Sequence, residues 1–298
     1  MAENIDGNVL VIICAYNEEE TIGLVVQRAV EEGFSVLVVD DGSDDRTADI
    51  ALQKGATVIR HSERVGKAAA LRDAIRFAKE KGYEVVIEVG ADAILTKGSI
   101  RRLTKYLSIP NVGGVSALQK PVGRGLVYFI DELVWAVLAE GKMLQQRRGM
   151  NVHLGAALYG IRLEYIERIV EVINDDEYVG ICIIRKGART LFAEDALVYF
   201  DASSSIKHLY IRRKRMLMGH IQLGKSTAPS MQPNILLAAT FLAVIRKPSR
   251  IFWFPHAIAI EIIARLSAMR DARNIEKINK YKKWHTHGMK KPITVSAK

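Results

Sequence analysis

Between residues 9 and 118, short apolar runs alternate with stretches whose apolar positions recur every three to four residues. The runs at 9–14, 35–39, 56–60, 84–89 and 112–118 are rich in Val and Ile and bounded by Gly, Asp or Asn. That is the pattern of buried parallel strands. The stretches at 21–32, 44–53, 66–81 and 98–107 predict helices, with Gly33, Gly55 and Gly82 where three of them should stop. A βαβαβ order with right-handed crossovers predicts an α/β fold class, a doubly wound, mainly parallel open sheet flanked by helices. Ligands of such sheets bind beyond the carboxyl ends of the strands.

Further along, 124–148 predicts a long amphipathic helix or helix pair. Strand-like and helical pieces follow over 152–200, and a basic helix over 205–223. Beyond Pro233 the chain changes character. Residues 235–245 are almost wholly apolar, Arg246-Lys247-Pro248-Ser249-Arg250 interrupts, and 251–266 resumes. A spanning helix needs about 20 consecutive apolar residues, so neither run is predicted to cross a membrane. On the second, Glu261 and Arg265 share a face opposite Ile258, Ile262 and Ile263, flanked by Phe252, Trp253 and Phe254. The reading is a C-terminal helical extension in a membrane interface. Packing on the domain and self-association are the alternatives. The expected organisation is therefore 1–224 catalytic, with a nucleotide-binding half (8–118) and an acceptor half (119–224), followed by 225–298 as a basic helical segment.

Composition changes this picture in two respects. The 298 residues are 49% apolar and 26% charged, ordinary for a globular chain, with a formal charge of +10. Nine Lys and Arg against two acids fall in residues 270–298, so the basic excess is mainly a tail. A tail of that kind suits an anionic lipid surface; without interleaved aromatics, nucleic-acid binding is not expected. Cys14 and Cys182 lack any metal-binding spacing, and residues 1–9 lack the pattern of a signal peptide. The expected location is cytoplasmic, peripheral on the cytoplasmic membrane face.

The chemistry gathers at strand ends. Ala15-Tyr16-Asn17-Glu18 follows the first strand where a dinucleotide fold would carry glycines. A ring, an amide and a carboxylate there suit a nucleoside, or a polar cap on the next helix. The second strand ends in Asp40-Asp41-Gly42-Ser43. Adjacent carboxylates repel, so one is expected to have an external partner such as a base or ribose; capping by Asp41 or Ser43 is the alternative. The fourth strand ends in Gly90-Ala91-Asp92-Ala93, and a carboxylate there can hold Mg²⁺ or Mn²⁺ against a diphosphate. His61 and His153 have no spaced partner and read as ordinary loop or strand residues.

In order, AYNEEETIG, VVDDGSDDRTADIA, GKAAALRDAI, GADA, GAALYG from Gly155, Asp175-Asp176-Glu177-Tyr178 and Arg212-Arg213-Lys214-Arg215 form a series. It resembles the family-2 glycosyltransferases of the GT-A fold over residues 8–224. The resemblance implies that Ala15, Tyr16, Asn17, Glu18, Lys67 and Ala91 line a nucleotide-sugar pocket, with Asp41 on the base. It implies that Asp92 is the metal ligand, Asp176 the catalytic base, and Arg213 and Arg215 cations at the diphosphate, Arg215 nearest. Three positions depart from the pattern. Gly90 replaces the first carboxylate of the metal motif, Arg212 and Met216 replace the Gln and Trp of QxxRW, and Cys14 replaces a Pro.

The expected activity is inverting sugar transfer from a nucleotide-diphosphate donor to the hydroxyl of a lipid-linked or membrane-proximal acceptor. Such chemistry serves polysaccharide or glycolipid synthesis. A polyprenyl-phosphate glycosyltransferase and a noncatalytic sugar-nucleotide-binding membrane scaffold are the competing readings.

Overall fold

The computed structural model describes residues 8–155, 157–224 and 231–282. Ala156 and the tail lysines at 283, 290, 291 and 298 lie outside the described residues. The chain begins β1 (Val9–Ala15), α1 (Ile22–Glu31), β2 (Ser35–Asp40), α2 (Thr47–Gln53), β3 (Thr57–Arg60), α3 (Lys67–Glu80) and β4 (Val85–Val89). This follows the predicted alternation. β1 and β4 are buried along almost their whole length because helices cover both faces, as their unbroken Val and Ile content requires. β3 is half-exposed because it forms the sheet edge.

The chain continues through β5 (Ile94–Leu95), α4 (Ser99–Leu107), β6 (Val112–Val122), α5 (Gly125–Arg147), β7 (Leu158–Arg162), α6 (Asp175–Arg185) and β8 (Arg189–Asp201). One eight-stranded sheet results, in the order β3-β2-β1-β4-β7-β6-β8-β5. The pairs β3/β2, β2/β1, β1/β4 and β6/β8 are parallel, whereas β7 runs antiparallel to both β4 and β6. The alternative left open for 124–148 resolves to a single helix of 23 residues.

Helices α7 (Ile206–Leu223), α8 (Pro233–Arg246), α9 (Phe254–Asp271) and α10 (Ile275–Lys282) complete the described residues. α7 starts at Ser205, whose hydroxyl accepts the His208 N–H. α9 lies against α7 through Ala264 and Ala268, which are fully buried with Leu217 and Met218. Its other side is open: Ile258, Ile262, Ile263, Leu266 and Met269 are exposed, as are Leu237 and Phe241 on α8 and Phe252 between the two helices. Residues 248–271 form a helical stretch long and apolar enough to cross a membrane by length and composition alone. The break expected at the basic interruption is kept, since α8 ends at Arg246; the second run extends from 251–266 to 248–271 through a 3₁₀ turn at Pro248–Trp253.

Candidate active site

The carboxyl ends of β1, β2 and β4 open into one cleft of about 1780 Å³, closed on the far side by α5, α6, α7 and the C-terminal helices. Ala15, Tyr16, Glu18, Asp41, Lys67, Ala91, Asp92, Asp176, Arg213 and Arg215 all line it. Asn17 does not. It adopts φ 55°, and its amide oxygen accepts the Asp44 N–H at 2.9 Å while its own N–H meets Ser43 Oγ at 2.9 Å. Asn17 therefore fastens the β1 turn to the β2 turn.

The Asp40-Asp41 pair differs from expectation. Register places Asp40 beside Arg60 at the β3 edge, and Arg60 Nε lies 3.1 Å from Asp40 Oδ2. Asp41 accepts the Val65 and Gly66 N–H groups at 2.9 and 2.8 Å and contacts His61 Nδ1 at 3.0 Å. Both carboxylates thus have internal partners, because β3 delivers Arg60 and His61 to the end of β2. Neither Asp41 nor Ser43 starts α2; Asp45 accepts the Thr47 N–H instead. Gly42, at φ 74°, permits this closeness, since a Cβ there would meet the Glu63 carbonyl carbon at 2.7 Å. Arg64, from the same loop, stacks 3.9 Å over the Tyr16 ring. His61 is no ordinary loop residue: its Nε2 also reaches Asp73 at 3.1 Å, tying the loop to α3.

Beneath the cleft, Lys67 lies 3.1 Å from Glu88 and 3.4 Å from Asp175. Burial opposes the Lys67 charge, but Asp175 and Glu88 outweigh it and raise its pKa. Burial pushes the Glu88 carboxyl up to about 7 against the pull of Lys67. Glu88, on β4, was invisible as a site residue because a single acid in a strand carries no motif. Its position beside α3 and α6 makes it the floor of the cleft.

Asp92 is half-buried, and burial raises its pKa, opposed by a backbone hydrogen bond and by Lys67 and Arg212. β5 pairs with β8 through Ile94↔Tyr199 and Leu95↔Val198. Continuing that register sets Asp92 opposite Asp201, whose carboxyl is raised by burial and by Asp92. A Cβ at Gly90 would stand 3.2 Å from Asp92 Oδ1. Among the described residues no three His, Cys, Asp or Glu side chains are grouped to hold a metal. A small divalent ion shared with a diphosphate needs only one or two protein carboxylates, which Asp92 can supply, so the residues present fit such an ion.

On the opposite wall, α6 begins with the acids. The Asp176 carboxylate accepts the Glu177 N–H at 2.9 Å, and Glu177 is paired with His220 Nδ1 at 2.6 Å. The arginines are distributed differently from the motif reading. Arg213 Nη2 is 2.6 Å from Glu261 on α9. Arg215 is held by the Ile173 and Tyr281 carbonyls at 3.0 and 3.3 Å. Arg212, at the Gln position of the motif, pairs with buried Asp131 and is the arginine whose charge lowers Asp92. His153 also lines the cleft, with its ring 6.0 Å from that of His220. Neither Arg212 nor His153 could be ranked from spacing alone, because their partners come from other elements.

A cleft at the carboxyl ends of the strands, floored by carboxylates and walled by arginines, lies where open α/β sheets bind their ligands. Residues 10–147, a little under half of the chain, match the model of glycosyl transferase family 2. The chain is 36% identical over 85 residues to an uncharacterized protein of Methanocaldococcus jannaschii, covering 28% of this chain and 35% of that protein. Undecaprenyl-phosphate mannosyltransferase of Micrococcus luteus is 28% identical over 174 residues, 53% of this chain and 71% of the relative. The chain thus spans about a third of the first relative and most of the second. In fold it is similar to glucosyl-3-phosphoglycerate synthase from Mycobacterium tuberculosis, solved with Mn²⁺, UDP-glucose and phosphoglyceric acid. The TM-score is 0.51 at 18% identity, over 70% of this chain and 77% of that one. The doubly wound, mainly parallel sheet of the GT-A type is therefore the fold of this chain.

Proposed function

We propose that the protein transfers a sugar, with inversion, from a nucleotide-diphosphate donor to a lipid-linked or membrane-proximal acceptor. One observation carries this reading: Asp41, Asp92 and Asp176, from three distant stretches of chain, line a single cleft that runs on to Leu236, Ile258 and Ile262 of the apolar C-terminal helices. A polar cavity continuous with an exposed apolar face suits an amphiphilic acceptor. Residues 8–118 then form the donor half, 119–224 the acceptor half, and 225–298 the membrane-facing segment on the cytoplasmic side. Exposed Arg246, Arg265 and Arg270 and half-exposed Lys247, on and beside the same helices, suit anionic headgroups, whereas Arg250 is held in a pair with Glu132.

In this mechanism the nucleoside lies against Tyr16 and Glu18. The acceptor oxygen attacks the anomeric carbon from the side opposite the diphosphate, and the carbon–oxygen bond to the diphosphate breaks with its electron pair leaving on the phosphate. Asp176 takes the hydroxyl proton, a role that typically contributes ~10²–10⁴-fold. Arg212 stabilises the departing charge beside Asp92, together with Arg215. A divalent ion held by Asp92 would add charge neutralisation at the diphosphate. Arg213 joins them only by sharing its pair with Glu261.

A second reading, with a polyprenyl phosphate as the acceptor, draws support from the mannosyltransferase named above. Such an acceptor is already anionic and needs no base, so Asp176→Asn would be tolerated. The test of the transferase reading is a screen of UDP-, GDP- and dTDP-sugars for Mn²⁺-dependent hydrolysis and transfer, with Asp92→Ala as control. Binding without turnover in every case would leave a noncatalytic scaffold instead.

A further inference from the structure

Several buried nitrogens in the cleft wall have no use in the mechanism above. Lys142 on α5 donates to Ser116 Oγ at 2.8 Å and lies 5.6 Å from the Phe192 ring centroid. Among the described residues no carboxylate stands within ion-pair distance of it. The Gln119 and Gln145 side-chain amide nitrogens and His153 Nε2 are buried with no hydrogen-bond partner among the described residues. Gln119 is 5% exposed and Gln145 2%, and all four residues line the cleft. Leaving such donors unmatched costs about 1–3 kcal/mol each, so a native fold that keeps several together requires an explanation.

The groups converge. Gly155 has no side chain where one would collide with the Gln119 amide, and a Cβ there would stand 3.3 Å from Lys142 Nζ. Asp176 is the charge that supports protonation of Lys142 against its burial, and it heads the groups that support protonation of His153. The cluster therefore lies within reach of the Asp176 charge. Lys142 and the two glutamine amides offer donors, His153 adds one in its Nε2–H tautomer, and Lys142 carries a cation. An oxyanion with several lone pairs complements that set, and a neutral hydroxyl does not.

We propose that Lys142, Gln119 and His153 form a subsite for a phosphoryl group carried by the acceptor. The proposal rests on the transferase reading and adds the chemical class of the acceptor. A lipid monophosphate and a small phosphorylated polyol share this chemistry. In the first case the apolar lining from Leu236, Ile258 and Met269 takes the tail.

Calorimetric titration of the full chain with farnesyl phosphate, farnesol, glycerol 3-phosphate and inorganic phosphate tests this, with UDP and GDP titrated in parallel. A phosphate-bearing probe binds at least about tenfold more tightly than farnesol, and Lys142→Met weakens it at least about tenfold, the scale of one charge-assisted contact. Lys142→Arg, which keeps the charge, retains most of the affinity. Preference for farnesyl phosphate assigns the subsite to a lipid, and preference for glycerol 3-phosphate to a small acceptor. Gln119→Leu, which leaves the cation in place, weakens the same probe. Equal binding of farnesol and farnesyl phosphate, no phosphate binding, or unchanged binding in Lys142→Met overturns the proposal. So does an equal loss of nucleoside diphosphate affinity in Lys142→Met, which would give the cation to the donor. Absence of nucleoside diphosphate binding by the unaltered chain would sink the transferase reading while leaving the phosphate titrations to be judged separately.

Discussion

Arg213 of α7 and Glu261 of α9 are joined by two contacts, from Nη2 and Nε to Oε2 at 2.6 and 3.0 Å. The pair fastens the C-terminal helices to the wall of the cleft and occupies an arginine that the motif assigns to the diphosphate. Arg213→Ala should therefore lower stability by roughly 1–3 kcal/mol, the cost of leaving a half-buried charge without its partner. Arg212→Ala strands buried Asp131 and should lower stability as well, but it alone should weaken nucleoside diphosphate binding about tenfold or more. Thermal denaturation and UDP or GDP titration of both variants separate the roles; a reversed pattern would return Arg213 to the diphosphate.

Asp92 lies in the cleft without an ion-pair partner among the described residues. Asp92→Ala should abolish Mn²⁺-dependent donor hydrolysis, a loss on the order of 10²–10³-fold, with the fold intact. Mn²⁺ titration in the presence of UDP supplies an independent readout, since the variant should lose the metal-enhanced component of nucleotide binding. Unaltered metal dependence would shift the ligand to Asp201 across the β5–β8 ladder.

For a hydroxyl acceptor, Asp176→Asn should reduce transfer ~10²–10⁴-fold while donor affinity is kept. Single-turnover transfer alongside donor titration checks this. Near-normal transfer would favour an acceptor that arrives already ionised.

Burial holds Lys142 down to about 8, against 10.5 for an ordinary lysine, with Asp176 opposing the shift. Below pH 8 the residue is charged in both folded and unfolded chains, and the full burial penalty applies. Between 8 and 10.5 only the unfolded chain stays protonated, so the penalty fades as pH rises. Lys142→Met should accordingly stabilise the protein by about 1–3 kcal/mol at pH 7, an advantage that shrinks above pH 8. Denaturant melts at pH 7 and pH 9.5 measure it; equal gains at both would show that packing, not charge, is responsible.

The exposed Leu237, Phe241 and Phe252 side chains, at 73%, 65% and 70%, should carry membrane contact. Full-length protein should float with anionic liposomes, and Leu237→Glu with Phe252→Glu should stay in the soluble fraction at unchanged melting temperature. Equal flotation would end the membrane assignment.

By itself the sequence determined the alternation of strands and helices in the first 118 residues, because the side-chain period of a buried strand or amphipathic helix is a local property. It also determined the turn after β1 and the acids at the ends of β2 and β4, whose place follows from strand polarity alone. Tertiary structure decided which charges meet. Arg60 and His61 answer Asp40 and Asp41 only because β3 lies beside β2. Lys67 meets Glu88 and Asp175 only because α3 and α6 converge on β4. Glu261 reaches Arg213 only because α9 folds back on α7. Electrostatic partnership depends on distance in space, and contacts between residues from about 20 to more than 100 positions apart leave no period or spacing in the chain for a reader to detect.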